Sequence, residues 1–321
     1  MSVLVFVESD EGKVKKSSLE AVSYGYQLKN SLGGSVTAIA FGTELDDAEL
    51  ADIGKAGAEK VLHVADSKFN QGIIQAYATV LAQAMDQTGA NTLVLAKSSL
   101  GDAVAARVAI KTNATLASNI VELPDTSNGF EVKRSIYTGK AFATVSLNGE
   151  KRILALKKNA VDLKEDGEAA NVEQFAANVE DNDFGVNITA TEKATGDVLL
   201  PEADIVVSGG RGLKGPENWG MIEELAKVLG AATGCSKPVS DMDWRPHHEH
   251  VGQTGIKVAP SLYIAIGISG AIQHLAGVNS SKIIVVINKD ADAPFFKAAD
   301  YGIAGDAFEV VPKLIEALKT S

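Results

Sequence analysis

Short apolar runs alternate with longer amphipathic stretches over the N-terminal part of the chain. The runs lie at residues 3–7, 36–41, 60–64 and 92–95. Their β-branched residues and continuous apolar character predict strands that are buried on both faces. The amphipathic stretches predict helices, and they lie at residues 17–32, 46–56, 70–88 and about 102–111. This alternation is typical of parallel strands joined by right-handed helical crossovers.

The pattern changes after about residue 115, where shorter segments alternate apolar and polar residues. These segments lie at 120–123, 130–136, 141–147 and 151–157, with turn residues between them. A period of two predicts antiparallel hairpins that extend the sheet or lie beside it. The stretch from 161 to about 188 is strongly acidic, with Lys164 as its single base. It predicts a solvated connector between domains, with an interaction surface as the alternative.

Strand and helix patterns alternate again in the C-terminal part of the chain. Strands are predicted at 204–207, 262–266 and 283–287, and helices at 217–229 and from about 271. A last strand at 308–311 is predicted before a helix at 312–319. We therefore expect an α/β protein with two domains. Residues 1–190 would form an α/β domain with a parallel sheet plus antiparallel hairpins, and residues 191–321 a doubly wound domain of flavodoxin-like or Rossmann-like type.

Composition and charge narrow the class of protein. The chain has 321 residues, of which 45% are hydrophobic and 22% charged, so disordered and collagen-like classes are excluded. The net charge of -11 argues against nucleic acid as a partner. The single cysteine excludes an internal disulfide. No leader-like segment and no apolar run of ~18 residues is present, so we expect a cytoplasmic protein without membrane insertion.

A glycine-rich turn between a predicted strand and helix is the first candidate site. Gly210, Gly212 and Gly215 match the Gly-x-Gly-x-x-Gly pattern, in which backbone N–H groups can approach a pyrophosphate closely. Arg211 adds a forked donor suited to phosphate. The pattern alone is weakly specific. A structural turn and an NAD(P)-dependent oxidoreductase are both open alternatives at this point.

Two further turns and one polar strand end are the other candidate segments. Residues 252–255 read GQTG and would expose backbone and short polar side chains, although a surface turn is the alternative. Residues 267–274 read GISGAIQH, where Ser269 is placed to cap a helix and His274 could be merely structural. Asn288 ends a predicted strand. Ligands of open α/β sheets bind beyond the carboxyl ends of the strands. Gly210, Gly267 and Asn288 would meet at this edge.

Other chemistry-bearing residues predict neither a catalytic nor a metal site. Cys235 has no evident base beside it and is expected to be a buried structural thiol. Three histidines lie close to Glu249, and a solvated loop is the preferred interpretation over a metal site; they are His247, His248 and His250.

Six sequence stretches between residues 207 and 311 resemble one family closely. They are SGGRGL, GCSKPVSD, VGQTG, VAPSLYIAIGISGAIQHLAG, VVINKD and ADYGIAGD. Together they resemble the alpha subunit of electron-transfer flavoproteins, and the N-terminal half matches in layout and length. The resemblance implies that the C-terminal domain binds FAD. It also implies a heterodimer with a beta subunit, which in many members carries AMP.

The same resemblance implies an electron carrier without substrate turnover of its own. Such a protein accepts electrons from flavoprotein dehydrogenases through an anionic flavin semiquinone and passes them to a quinone reductase of the respiratory chain. Bacterial fatty acid or amine oxidation is the expected context. The N-terminal domain would then serve as a subunit interface.

The family's FAD contacts fall on a set of turn and strand-end positions in this chain. They are Arg211, Gly212, Ser236, Lys237, Gly252, Gln253, Thr254, Gly267, Ser269, Gly270, Ala271, Ile272, Gln273, His274, Asn288 and Asp306. By resemblance, Arg211 and the Ser269 turn serve the pyrophosphate, and Thr254 lies near flavin N5.

Three other positions of this set carry further implied roles. His274 would face the N1 and O2 side of the flavin, and Asn288 and Asp306 would hold the adenosine end. Lys237 departs from the family, which usually has arginine at this position.

Overall fold

Two compact α/β units make up the chain. The computed structural model describes residues 2–139, 141–190, 200–201 and 203–320. It divides the chain into Met1–Thr191 and Glu192–Ser321. Each unit has its own sheet and its own buried apolar clusters, so the predicted α/β class is confirmed. None of the helices in the described parts of the chain is long and apolar enough to cross a membrane.

The first unit contains eleven described strands and four α-helices. The strands are β1 (Ser2–Phe6), β2 (Ser9–Asp10), β3 (Lys13–Val14), β4 (Ser35–Phe41), β5 (Lys60–Val64), β6 (Thr92–Ala96), β7 (Thr115–Ile120), β8 (Glu131–Ile136), β9 (Ala141–Ser146), β10 (Arg152–Leu156) and β11 (Asn171–Gln174). The helices are α1 (Lys16–Leu32), α2 (Asp47–Asp52), α3 (Ile74–Thr88) and α4 (Ser99–Thr112).

Nine of these strands form one sheet in the order β11-β5-β4-β1-β6-β10-β7-β8-β9. All neighbours are parallel except β7 with β8 and β8 with β9, which are antiparallel. Helix α1 packs on one face of the sheet, and α3 and α4 pack on the other. The predicted parallel crossovers and the hairpin between β8 and β9 are therefore confirmed.

The prediction of a hairpin strand at 151–157 is wrong. Strand β10 lies between β6 and β7 and runs parallel to both. Its residues from Ile153 to Leu156 are all buried, because the strand is covered on both faces. A continuous apolar run of this kind is typical of a central parallel strand rather than a hairpin. The strand predicted at 120–123 also lies earlier, as β7.

The stretch 161–188 is largely solvent-exposed, as predicted, but the prediction of a connector is wrong at its centre, which belongs to the first sheet. Strand β11 lies within it and pairs in parallel with β5 at the edge of the sheet. Ala170 and Phe175 are buried on either side of β11, and the Ala170 N–H donates to the Ala51 carbonyl at 2.9 Å. Glu173 lies outside and pairs with Lys60 at 2.9 Å, whereas Asp183 is buried and accepts a hydrogen bond from the Thr79 hydroxyl at 2.6 Å. The charge pattern thus describes one solvated side of a packed segment.

The second unit contains five described strands and four α-helices. The strands are β12 (Ile205–Gly209), β13 (Ala232–Cys235), β14 (Leu262–Ile266), β15 (Ile283–Asn288) and β16 (Tyr301–Ala304). The helices are α5 (Gly220–Leu229), α6 (Lys237–Asp241), α7 (Ile272–Val278) and α8 (Ala307–Thr320).

These five strands form a parallel sheet in the order β13-β12-β14-β15-β16. Counted within the unit, the order is 2-1-3-4-5, which is the flavodoxin-like arrangement. Helices α5 and α8 pack on one face, and α7 with Phe295 on the other, so the unit is doubly wound. The order reverses between β12 and β14, and their carboxyl ends define the switch point at which such sheets bind ligands.

The strand predicted at 308–311 is instead the start of α8, which continues through Pro312. Ala307, Val311 and Ile315 are buried at a spacing of four, the helical period. The last strand is Tyr301–Ala304. Its residues are exposed at the sheet edge, so no apolar run marked it in the sequence.

Candidate cofactor site

Two glycine turns interlock at the switch point of the second unit. The Gly210 N–H donates to the Ile266 carbonyl at 2.8 Å, and the Gly212 N–H donates to the Gly267 carbonyl at 3.0 Å. A Cβ atom on Gly210 would lie 2.2 Å from the Gly267 oxygen. Gly267 itself has φ +64°, a conformation that favours glycine. The turns after β12 and β14 therefore hold each other in place through backbone contacts.

The Gly-x-Gly-x-x-Gly pattern does not form a dinucleotide fingerprint here. The N–H groups of Gly210 and Gly212 are bonded to the β14 turn, so they are not available to a pyrophosphate. Two 3-10 turns follow, Arg211–Leu213 and Pro216–Asn218, and α5 begins only at Gly220. A fingerprint loop opens a helix directly and belongs to a different strand order. The nicotinamide alternative finds no support in this geometry.

The turn after β14 forms an exposed rim. Gly270 has φ +82°, and a Cβ atom there would lie 2.5 Å from Phe295. The Phe295 N–H donates to the Ser269 carbonyl at 3.1 Å, which fixes the turn. The expectation that Ser269 caps α7 is wrong, because Ala271 is the N-cap and makes no side-chain cap. The side chains from residue 271 to 273 are exposed, and Ile272 is 68% exposed.

The GQTG loop packs against α7 beside this rim. The Gln253 N–H donates to the Gln273 carbonyl at 2.7 Å. A Cβ atom on Gly277 would lie 2.6 Å from Gly252, so helix and loop approach at backbone distance. The side chains of Gln253 and Thr254 are exposed. The structure thus brings together two candidate segments that are about 20 residues apart in sequence.

The carboxyl end of β13 contributes the cationic side of the site. The Ser236 N–H donates to the Gly209 carbonyl at 3.1 Å, so the strand end lies beside that of β12. Lys237 follows with 59% of its side chain exposed, and its Nζ lies 3.3 Å from Oδ1 of Asp241. Arg211 is exposed after β12. Both cations are therefore accessible to an anionic ligand.

Asn288 ends β15 and Asp306 follows the neighbouring strand β16, and both have internal partners. Asn288 donates from Nδ2 to the Ile268 carbonyl at 2.9 Å and accepts from the Asp290 N–H at 3.0 Å. It therefore braces the turn after β14.

Asp306 accepts the Phe308 N–H at 3.0 Å and so caps α8. This backbone hydrogen bond, with Lys289 at 3.5 Å, lowers the pKa of Asp306. The carboxylate is consequently ionised and able to accept further hydrogen bonds.

His274 points into the protein. Its side chain is 7% exposed, and its Nε2 lies 2.9 Å from the hydroxyl oxygen of Tyr263. Burial, together with the nearby His250, lowers the pKa of His274 to about 4, so the ring is neutral at pH 7. Nδ1 is buried and has no hydrogen bond of normal geometry among the described residues. The structure thus places this predicted site residue behind the exposed rim.

Sequence reasoning missed three residues that shape the site: Tyr263, Lys289 and Phe295. Tyr263 is the one polar side chain in the apolar strand LYIAI, and this was the signal that could have revealed it. Lys289 directly follows Asn288 and reaches Asp306. Phe295 carried no signal, because its contact with Gly270 depends on the tertiary fold.

The cysteine and histidine residues behind the site are structural. Cys235 is fully buried, as predicted, and burial raises the pKa of its thiol to about 12. The prediction that the histidine loop is solvated is wrong in part, because His250 and Glu249 are buried. Arg245 forms two hydrogen bonds to Glu249, at 2.9 and 2.6 Å. In the parts of the chain that the structure describes, no three metal-ligating side chains cluster.

The rim as a whole suits an extended anionic cofactor. Three turns expose backbone and small side chains along the carboxyl edge, and Arg211 and Lys237 supply accessible positive charge. Close backbone packing at Gly210, Gly252 and Gly270 leaves no room for larger side chains in these turns. A flavodoxin-like sheet with such turns at its switch point defines a nucleotide-cofactor-binding protein.

Comparison with known proteins identifies the family. Residues 3–180 match the electron transfer flavoprotein domain, and residues 199–279 match the electron transfer flavoprotein FAD-binding domain. The chain is 35% identical to electron transfer flavoprotein subunit alpha of Bacillus subtilis, over 99% of this chain and 97% of that protein. It is 38% identical to the Mycobacterium tuberculosis subunit, over 99% and 98%. The chain therefore belongs to the electron transfer flavoprotein alpha subunit family, and its cofactor is FAD.

A mitochondrial relative shows the same relationship. The probable electron transfer flavoprotein subunit alpha of Caenorhabditis elegans is 35% identical over 99% of this chain and 93% of that protein. Asn288 and Asp306 lie beyond the residues matched by the FAD-binding domain.

Proposed function

We propose that this chain is the FAD-binding subunit of a heterodimeric electron carrier without substrate turnover of its own. It accepts electrons from flavoprotein dehydrogenases and passes them to a quinone reductase of the respiratory chain, in bacterial fatty acid or amine oxidation in the cytoplasm. One observation carries the proposal. The match to the family's FAD-binding domain lies within the unit whose parallel sheet gathers the glycine turns, Arg211 and Lys237 at one edge.

The residues of the rim divide between the parts of FAD. Arg211 and the turn from Gly267 to Ala271 would bind the pyrophosphate through a forked cation and backbone groups. Gly212 would hold that turn in place through its hydrogen bond to the Gly267 carbonyl. Gln253 and Thr254 would border the flavin ring, with Lys237 as the nearby cation. FAD supplies the one-electron chemistry when bound. The chain's own side chains orient it and set the charge around it.

The remaining positions serve the ends and the frame of the site. Ser236 and Gly252 hold the strand end and loop that present Lys237 and Thr254. Ile272 and Gln273 add exposed surface beside the flavin. Asp306, held ionised, would accept a hydrogen bond from a ribose hydroxyl at the adenosine end, next to Asn288.

The two units would have separate tasks. Alpha subunits of this family pair with a beta subunit, and we assign residues 1–190 to that contact and residues 191–321 to FAD. Exposed aromatic side chains at the β8–β9 end of the first sheet support the assignment, because Tyr137 is 77% and Phe142 56% exposed. AMP would belong to the beta subunit.

The test is co-expression with the beta subunit, followed by absorbance and flavin stoichiometry. We expect one FAD per heterodimer and its reduction by a flavoprotein dehydrogenase with that enzyme's substrate. Arg211→Ala should weaken FAD retention, whereas Lys227→Ala, an exposed cation on α5, should not. A heterodimer that is colourless after purification and does not bind added FAD would show the proposal to be wrong.

A further inference from the structure

A tyrosine and a histidine form a buried hydrogen bond behind the proposed FAD site. Tyr263 on β14 is fully buried, and its hydroxyl oxygen lies 2.9 Å from Nε2 of His274 on α7. The side chain of Ser208 on β12 lies beside the same hydroxyl. Polar groups at full burial are costly unless they are paired, so this arrangement has a defined geometry.

Packing fixes the orientation of both rings. Phe295 lies edge-on to His274, with ring centroids 5.7 Å apart. It is also nearly parallel to Tyr263, with centroids 6.4 Å apart. Phe295 in turn backs Gly270 in the exposed turn. The three rings therefore form one packed layer beneath the rim.

The hydrogen bond between Tyr263 and His274 joins two neutral groups. Burial raises the pKa of Tyr263, so its hydroxyl keeps the proton. His274 is neutral at pH 7 because its pKa is lowered, and it therefore carries a single ring proton. A tyrosine hydroxyl that donates to Nε2 leaves this proton on Nδ1.

Helix α7, which carries His274, lies against the GQTG loop. A Cβ atom on Gly277 of α7 would lie 2.6 Å from Gly252. The residue before His274, Gln273, accepts the Gln253 N–H through its carbonyl at 2.7 Å. The orientation of His274 is thus coupled to the loop that presents Thr254.

We propose that Tyr263 is a positioning residue of the FAD site. Its hydroxyl donates to Nε2 of His274, holds the ring proton on Nδ1 and sets α7 against the Gly252–Gly255 loop. The part of this proposal that concerns FAD rests on the proposed function. The part that concerns the tautomer of His274 is independent of the proposed function.

The first test is 15N NMR of the histidine rings in the heterodimer, with His274→Gln used for assignment. We expect Nδ1 of His274 to be protonated and Nε2 to have the shift of an unprotonated acceptor. In Tyr263→Phe this preference should be lost. A wild-type protein with the proton on Nε2 would overturn the proposal even if the variant fails to fold.

The second test is the FAD dissociation constant. Loss of a buried hydrogen bond predicts roughly threefold to tenfold weaker FAD binding by Tyr263→Phe. Tyr77→Phe is the matched control, because Tyr77 donates a buried hydrogen bond to the Phe69 carbonyl in the first unit. Equal FAD binding and equal histidine spectra in wild type and Tyr263→Phe would overturn the positioning role. Absence of FAD binding in the wild type would instead overturn the proposed function.

Discussion

Gly210 packs directly against the backbone of Gly267 at the switch point of the second sheet, with no room for a side chain between them. A Cβ atom on Gly210 would lie 2.2 Å from the Gly267 carbonyl oxygen. The neighbouring Gly212 N–H donates to that same oxygen at 3.0 Å. Backbone atoms cannot move aside as a flexible side chain can, so a methyl group here would separate the ends of β12 and β14.

We therefore expect Gly210→Ala to destabilise the second unit by about 1–3 kcal/mol or more, the range for overpacked sites. It should also abolish tight FAD binding, because the two turns would no longer be held together. The measurement is urea unfolding followed by tryptophan fluorescence, since Trp219 and Trp244 both lie in this unit. Gly220→Ala is the control, because a Cβ atom there has nothing within 4 Å. Equal stability of both variants would contradict the interlocked turns.

Lys237 allows a prediction about the flavin potential. Its side chain is 59% exposed and lies 3.3 Å from Asp241. A cation near the flavin favours the negative charge that one-electron reduction adds. We expect the first reduction potential to fall in Lys237→Ala and to rise in Lys237→Arg, which carries a planar, delocalised charge. A tenfold change in relative affinity for the reduced flavin corresponds to about 59 mV.

Stepwise anaerobic titration of the heterodimer measures this potential. Asp241→Asn tests the opposite change in charge, because removing the carboxylate beside Lys237 should raise the first reduction potential. Lys227→Ala on α5 serves as the control for a lost exposed cation. An unchanged first reduction potential in both Lys237 variants would show that the charge of Lys237 does not act on the flavin.

The sequence patterns predict the fold well where strands and helices are long and strongly periodic. Strands β5 and β14 fall at the predicted residues. The alternation in the segments before β10 favours a hairpin there, although the four apolar residues of β10 that are buried indicate a central strand. The start of α8 resembles a strand in the sequence because Phe308–Val311 contains an aromatic residue and two adjacent valines. Only the spacing of Val311 and Ile315 across Pro312 reveals the helix.

The candidate site is predictable to the level of its turns. Parallel strands bring their carboxyl ends to one edge, so residues 210, 267 and 288 could be placed together from the strand pattern alone. The hydrogen-bond partners of individual side chains could not be predicted from this pattern. Asn288 bonds to the Ile268 carbonyl and His274 to Tyr263, and both contacts arise only when distant elements pack.

Cys235 should be chemically inert in the folded protein. It is fully buried, and burial raises the pKa of its thiol to about 12, so almost no thiolate exists at pH 8. We expect a thiol reagent such as DTNB to label native protein very slowly and to label one thiol per chain in denaturant, since Cys235 is the single cysteine. Rapid stoichiometric labelling of the native heterodimer would contradict the described packing.

The lowered pKa of His274 predicts how the free energy of unfolding of the second unit depends on pH. Its pKa is about 4 in the folded chain and 6.5 in its ordinary state, so the unfolded chain binds more protons between these values. Stability from this group is fully present above pH 6.5 and is lost as the pH falls toward 4. Between pH 7 and 5 we expect a loss of about 2 kcal/mol. Urea unfolding followed by tryptophan fluorescence should show a smaller loss in His274→Gln, which does not titrate, and the full loss in His248→Gln, which alters an exposed histidine. The same pH dependence in wild type and His274→Gln would mean that His274 is not held neutral by the fold.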